Sequence, residues 1–280
     1  MKLFKKGNCI SSRELYTILI FSLIIFIISL YNPLYNIKMG LKMAIHDGYQ
    51  LSNFDILNAF NGWGLISKSS YIILIVPIFS ALIIYIVDYN NSLIRMIRHK
   101  SRNGLWNKKI RLILISAFLL STLLVIGGYL VSGVFVKGYN NTWNAELGLP
   151  YLIYGNTEIW SDLSNLLVTY KVILIFWITT FLGLCFIGIF ICTFQLFMRN
   201  VYVYLMVLVI VLGEGCNLFN LKLLETILIT PNKWINPSSL IASNIYFLVG
   251  FLVLYFLGIY INSKRDQGLE KNIRMCGERH

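Results

Sequence analysis

The chain has 280 residues, of which 57% are hydrophobic and 13% charged, and its mean hydropathy is +0.70. A soluble domain cannot bury that much apolar surface and a bilayer can, so the water-soluble classes of enzyme and binding module are excluded. The formal net charge is +12, but no segment is long and polar enough to form a soluble basic domain, which excludes a nucleic-acid partner.

Residues 1–15, "MKLFKKGNCISSREL", carry Lys2, Lys5, Lys6 and Arg13 ahead of the first apolar run, "YTILIFSLIIFIISLY" at 16–31. That run is long for a cleaved signal sequence, and "NPLYNIKMG" after it lacks a small-residue cleavage pattern, so it reads as a retained anchor. Further runs follow at 71–87, 112–136, 172–198, 201–219 and 240–261, and a charged tail occupies 262–280. Lipid leaves no water for unpaired backbone groups, so each run is expected to be a helix. Alternating short segments, the mark of a membrane barrel, are absent from these runs. The expected fold is all-α: a polytopic membrane protein with six transmembrane helices over 16–261.

With six spans the loops alternate between two sides. The side holding residues 1–15, 88–111, Arg199 and 262–280 carries 17 Lys and Arg; the side holding 32–70, 137–171 and 220–239 carries 7. The positive-inside rule then makes both termini cytoplasmic. The five cysteines, at 9, 185, 192, 216 and 276, fall in spans or on the cytoplasmic side, with no C-x-x-C. His46, His99 and His280 are remote in sequence, so a metal centre has no support and the histidines read as polar loop residues.

The stretch "SLIRMIRHKSRNGLWNKKIR", residues 92–111, holds seven Lys or Arg and no acid. The positive-inside rule explains the charge but not its order. Arg95, Arg98 and Arg102 are three and four residues apart and form one helical stripe, with Leu93 and Ile97 roughly opposite. Gly104 can end this short amphipathic helix before "LWNKK". From these residues alone two uses stay open, resting on lipid headgroups or filling a partner's groove.

Glu214, in "LGEGC", is the one acid placed deep in a run, about 20 Å along the fifth helix at 1.5 Å per residue. A carboxylate at that depth usually faces protein or a water-filled path. It is a candidate for a transport path or a dimer seam, and equally a Glu near a helix end that reaches water or is protonated. Trp63, Tyr139, Trp143, Tyr151, Tyr154, Trp160 and Trp234 lie in the outer segments and read as interfacial anchors. The stretch "LKLLETILITPNKWINPSS", 221–239, is too short and polar to span, and Pro231 and Pro237 should bound its pieces.

The run "DYNNSLIRMIRHKSRNGLWNKK", 88–109, resembles the loop between the second and third spans of ABC-2-type permeases, the membrane subunits of ATP-driven exporters. In that family an acid closes the second span, a short helix and a Ser-Arg pair follow, and one or two Lys open the third. Asp88, Ser101 with Arg102, and Lys108 with Lys109 match those positions. The usual Gly after the acid is replaced by Asn91 or Ser92, and a common Pro before Ser-Arg by Lys100. Six spans with both ends inside, an elbow-like segment at 1–15 and short helices dipping in between the last two spans also resemble the family.

What the resemblance implies is a coupling helix that docks on a nucleotide-binding subunit, through Asp88, Leu93, Arg95, Ile97, Arg98, Arg102, Trp106 and Lys108. It also implies a second permease subunit, alike or different, around a central path in a bacterial cytoplasmic membrane. No G-x-x-x-x-G-K-[ST] occurs, so ATP and Mg²⁺ would be bound by the partner chain and this chain would hold no cofactor. H-E-x-x-H and G-x-S-x-G are also lacking, so the chain is not expected to be an enzyme. The expected function is the permease subunit of an exporter of an amphipathic or apolar substrate such as a peptide, antibiotic or lipid. The alternative is a membrane protein that binds a partner without transport, as an immunity or sensor component.

Overall fold

The computed structural model describes residues 11–57, 64–90, 102–155, 157–218 and 223–277. Among these the only regular elements are helices. Helix α1 is Ser12–Asp47 and α2 is Asn53–Leu57. Helix α3 joins Lys68–Ser70, a π turn at Tyr71–Ile75 and Val76–Asn90. Helix α4 joins Arg102–Thr122, a π turn at Leu123–Gly127 and Gly128–Val136. Then come α5 (Leu149–Tyr154), α6 (Trp160–Leu166), α7 (Thr169–Phe194), α8 (Asn200–Gly215), α9 (Leu223–Ile227), α10 (Pro231–Ile235) and α11 (Pro237–Gly277).

Among the described residues, five helices are long and apolar enough to cross a membrane: Ser12–Asn36, Lys68–Tyr89, Arg102–Val136, Thr169–Phe194 and Pro237–Lys264. The chain is therefore an all-helical membrane protein. The expected fifth span, 201–219, is the 16-residue α8. At 1.5 Å per residue it covers about 24 Å, short of the roughly 30 Å hydrocarbon core. Glycine at 213 and 215 and the turn at Cys216 end it early.

Helices α3, α4 and α7 form the centre. Half or more of each apolar stretch is buried, against 28% for α1 and 17% for α11. The buried positions of α1 include Ile18, Ser22, Ile25 and Ser29, spaced three and four apart, which is one helical face. That face packs on α3 and α4 through Leu82, Ile86 and Leu112. The opposite face carries exposed Leu19, Ile20, Leu23 and Ile27, the pattern of a helix with protein on one side and lipid on the other.

The helices begin and end at two levels. At one, α1 begins, α3 ends and α4 begins, and the Pro237–Lys264 stretch of α11 ends. Lys108 meets Glu14, Arg13 lies 5.2 Å from the Tyr89 ring centroid, and Tyr255 donates a hydrogen bond to Asn107. At the other level α2, α9, α10 and residues 137–150 form a folded cap. Pro231 and Pro237 each open a helix at the first position, where a missing N–H costs nothing, so they bound the pieces of 221–239 as the sequence indicates.

Candidate functional site

The first level is built around α4. Ser11 caps α1: its Oγ accepts from Glu14 N at 3.3 Å, and Ser11 N donates to Glu14 Oε2 at 2.8 Å. This reciprocal capping box satisfies two orphan donors of the first turn. It also leaves Glu14 Oε1 pointing into the bundle, where Lys108 Nζ donates to it at 2.9 Å. The two side chains are 1% and 8% exposed, so the pair is internal. Below it Trp106 is fully buried against α11 at Gly258, where any Cβ would overlap the indole. Lys109 is buried beside Cys192 of α7. Helix α4 is thus fastened to α1, α11 and α7 within one turn of Trp106.

This arrangement sorts the residues expected to face an ATPase. Leu93, Arg95, Ile97 and Arg98 lie outside the described residues. Asp88 is exposed in the last turn of α3, and Arg102 is half-exposed at the first residue of α4. Trp106 and Lys108 are brought to the same level but point inward, so they anchor the segment rather than offer a surface. Helix α4 continues through Gly104 without a break, contrary to the expected helix end there; the start of the helix is held by tertiary contacts that outweigh the glycine penalty.

The second level contains Glu214. It is buried, and its Oε1 accepts from Leu224 N at 2.6 Å and Glu225 N at 3.0 Å. These are orphan N–H groups of the first turn of α9. Oε2 is buried with no hydrogen-bond partner among the described residues. Lys68 exerts a weak electrostatic attraction on it, and its Nζ donates to Asn217 Oδ1 at 3.5 Å. Glu214 therefore caps α9 across the turn that follows α8. Helix α9 in turn seats on α7: a Cβ on Gly183, near the middle of α7, would stand 2.8 Å from Ile227 Cγ1. Lys233 closes the other end. Its Nζ donates to the carbonyl oxygens of Glu225, Thr226 and Leu228 at 2.6, 2.8 and 2.8 Å. Burial pushes the Lys233 ammonium down to about 8, against a smaller opposing pull from Glu225.

Beside α9 and α10 sits a buried carboxyl that the sequence reading did not single out. Asp55 Oδ2 accepts from Ser52 N and Oδ1 from Trp143 Nε1, both at 2.7 Å. Burial raises its pKa from 3.8 to about 7, although both hydrogen bonds act to lower it. Trp143 stacks edge-on to Trp234, which packs on Phe176 of α7. Trp143 and Trp234 are 0% and 1% exposed. They are the core of the cap rather than interfacial anchors, because each indole finds aromatic neighbours inside it. Tyr139 is exposed, Tyr151, Tyr154 and Trp160 are half-buried, and Trp63 lies outside the described residues.

Among the described residues no cluster of His, Cys, Asp or Glu is placed to hold a metal ion. The fold and these two levels define, among the described residues, an all-helical membrane protein with an internal ionic anchor at one end and a folded cap at the other. Comparison with family models, curated proteins and solved structures returns no match.

Proposed function

We propose that the protein is the permease subunit of an ATP-driven exporter of the ABC-2 type, with residues 88–111 receiving motion from a separate ATPase on the cytoplasmic side. The observation that carries the reading is the fastening of α4 directly after the basic segment. An ATPase that moves this segment moves α4, and the Glu14–Lys108 pair and the Trp106–Gly258 contact carry the displacement to α1 and α11. Asp88 and Arg102 remain at its two ends as candidates to meet the partner, together with the Arg95–Arg98 stripe and Leu93 and Ile97.

The cap fits the same reading. Glu214 serves it by holding α9 in place, and its role toward a path or seam is then indirect. A second permease subunit and lipid are the natural neighbours of the apolar faces of α1 and α11. An apolar or amphipathic cargo agrees with spans almost free of charge. ATP and Mg²⁺ belong to the partner chain.

The test is co-purification of a P-loop ATPase with the tagged full chain, at equal membrane levels. Arg98→Glu, Arg102→Glu and Ile97→Asp should each lower recovery several-fold, because a reversed charge or lost apolar contact at a docking face is unfavourable. Lys264→Gln, exposed beside the Tyr260 ring on α11, should not. Equal recovery with all four variants would end the coupling reading and favour a partner-binding membrane protein.

A further inference from the structure

A cavity of about 150 Å³ lies between α3, α7, α8, α11 and the start of α9, lined by Val76, Phe186, Phe190, Val207, Val211 and Tyr246, with Ile187, Ile210 and Leu223 completing it. Val76, Val207 and Val211 are buried and form its floor; Phe186, Phe190 and Ile210 are half-buried and Tyr246 is exposed. The mouth therefore opens sideways between α8 and α11. Val207 sits at the middle of α8 and Leu223 is the first residue of α9, so the cavity runs from mid-helix toward the cap. Leu205 and Val209 of α8 and Ile245 and Val249 of α11 are exposed and apolar.

We infer that this cavity is a binding site for a hydrocarbon chain entering from the bilayer. The site is independent of the exporter reading. The lining contains no charged or amide side chain, and its one hydroxyl belongs to Tyr246 at the mouth. A polar headgroup would find no partner inside, where an unpaired polar group is costly, so the occupant is the chain and not the head. Its size matches: a cavity of about 150 Å³ lined by aliphatic and aromatic side chains takes a benzene-sized apolar group, roughly six carbons. In lipid, transfer from water gives no gain, so what favours entry is packing. Side chains facing a void lose dispersion contacts that a chain restores.

The experiment uses the full-length protein in nanodiscs containing a phosphatidylethanolamine with a mid-chain diazirine and, in a second arm, a free fatty acid carrying the same group. After illumination, adducts are mapped by mass spectrometry. Labelling at Phe186, Ile210 or Tyr246 should exceed that at Ile27, a 63% exposed residue of α1, several-fold in at least one arm. The arm that labels identifies the source as membrane lipid or free chain. Val207→Phe fills the floor and should bring labelling down to the Ile27 level without lowering the melting temperature. Ile210→Phe serves the same purpose should Val207→Phe fail to fold. Labelling no higher than at Ile27 in both arms, or unchanged in both variants, would overturn the site. So would a Tyr246→Cys disulfide between two copies accompanied by no chain labelling.

Discussion

Lys108 shows how one side chain can be misjudged from charge alone. In the sequence it is one of seven cations and invites a surface role. In the fold it is 8% exposed and closes on Glu14. Removing one member of a buried pair leaves an uncompensated charge, which costs about 3–5 kcal/mol, whereas replacing both by apolar residues is close to neutral. Lys108→Met should therefore lower the melting temperature in detergent markedly, and adding Glu14→Met should recover most of the loss. A double variant no better than the single one would remove the pair as the anchor of α4. Asp55 gives a second test. Its folded pKa of about 7 lies above the ordinary 3.8, so the folded state holds the proton more tightly than the unfolded one. That contribution is fully present below pH about 4 and is lost as pH rises through about 7, amounting to about 4 kcal/mol at 1.36 kcal/mol per unit. The difference in stability between wild type and Asp55→Asn should change across that window in favour of the variant as pH rises. A pH-independent difference between pH 4 and 8 would contradict it.

At the scale of elements, the cap depends on α9, a five-residue helix that could not persist alone. Glu214 holds its N-terminus, Lys233 its C-terminal carbonyls, and Gly183 the space beneath it. Glu214→Gln keeps an acceptor for Leu224 N and Glu225 N, while Glu214→Ala leaves both donors buried and unmet, at about 1–3 kcal/mol for an unsatisfied group. Limited proteolysis after residue 218 should be faster in Glu214→Ala than in Glu214→Gln, and Gly183→Leu should resemble the alanine variant. Equal cleavage of all three would mean that α9 is held by other contacts. Part of this was legible in advance. Continuous apolar runs mark the long helices because nothing but lipid or core accepts them, and the two prolines mark helix starts. Ser11–Glu14 and Ser52–Asp55 share the pattern of a hydroxyl residue followed three positions later by an acid, a readable cap signal. Their remote partners, Lys108 and Trp143, are 94 and 88 residues away; no local pattern carries a contact that only packing creates. Helix α8 is shorter than the apolar run 201–219 because apolar residues continue beyond the turn at Cys216 that ends it.

The whole molecule has a packed centre of α3, α4 and α7 and two outer helices, α1 and α11, whose apolar faces are largely uncovered by the described residues. In the proposed exporter the basic segment faces the cytoplasm. A reporter inserted between residues 91 and 101 should then register cytoplasm, and one after Asn156 the opposite side; the reverse pattern would overturn the orientation. The central claim is that ATP is hydrolysed by another chain whose motion this one receives. It is tested most directly by ATP hydrolysis in nanodiscs, with the complex isolated from native membranes through a tag on this protein. The purified membrane chain alone should hydrolyse nothing. The complex should show Mg²⁺-dependent hydrolysis, and charge reversal at Arg98 should lower its retention several-fold. A tagged wild-type chain that brings down no ATPase activity, at membrane levels where the protein is folded, would contradict the claim.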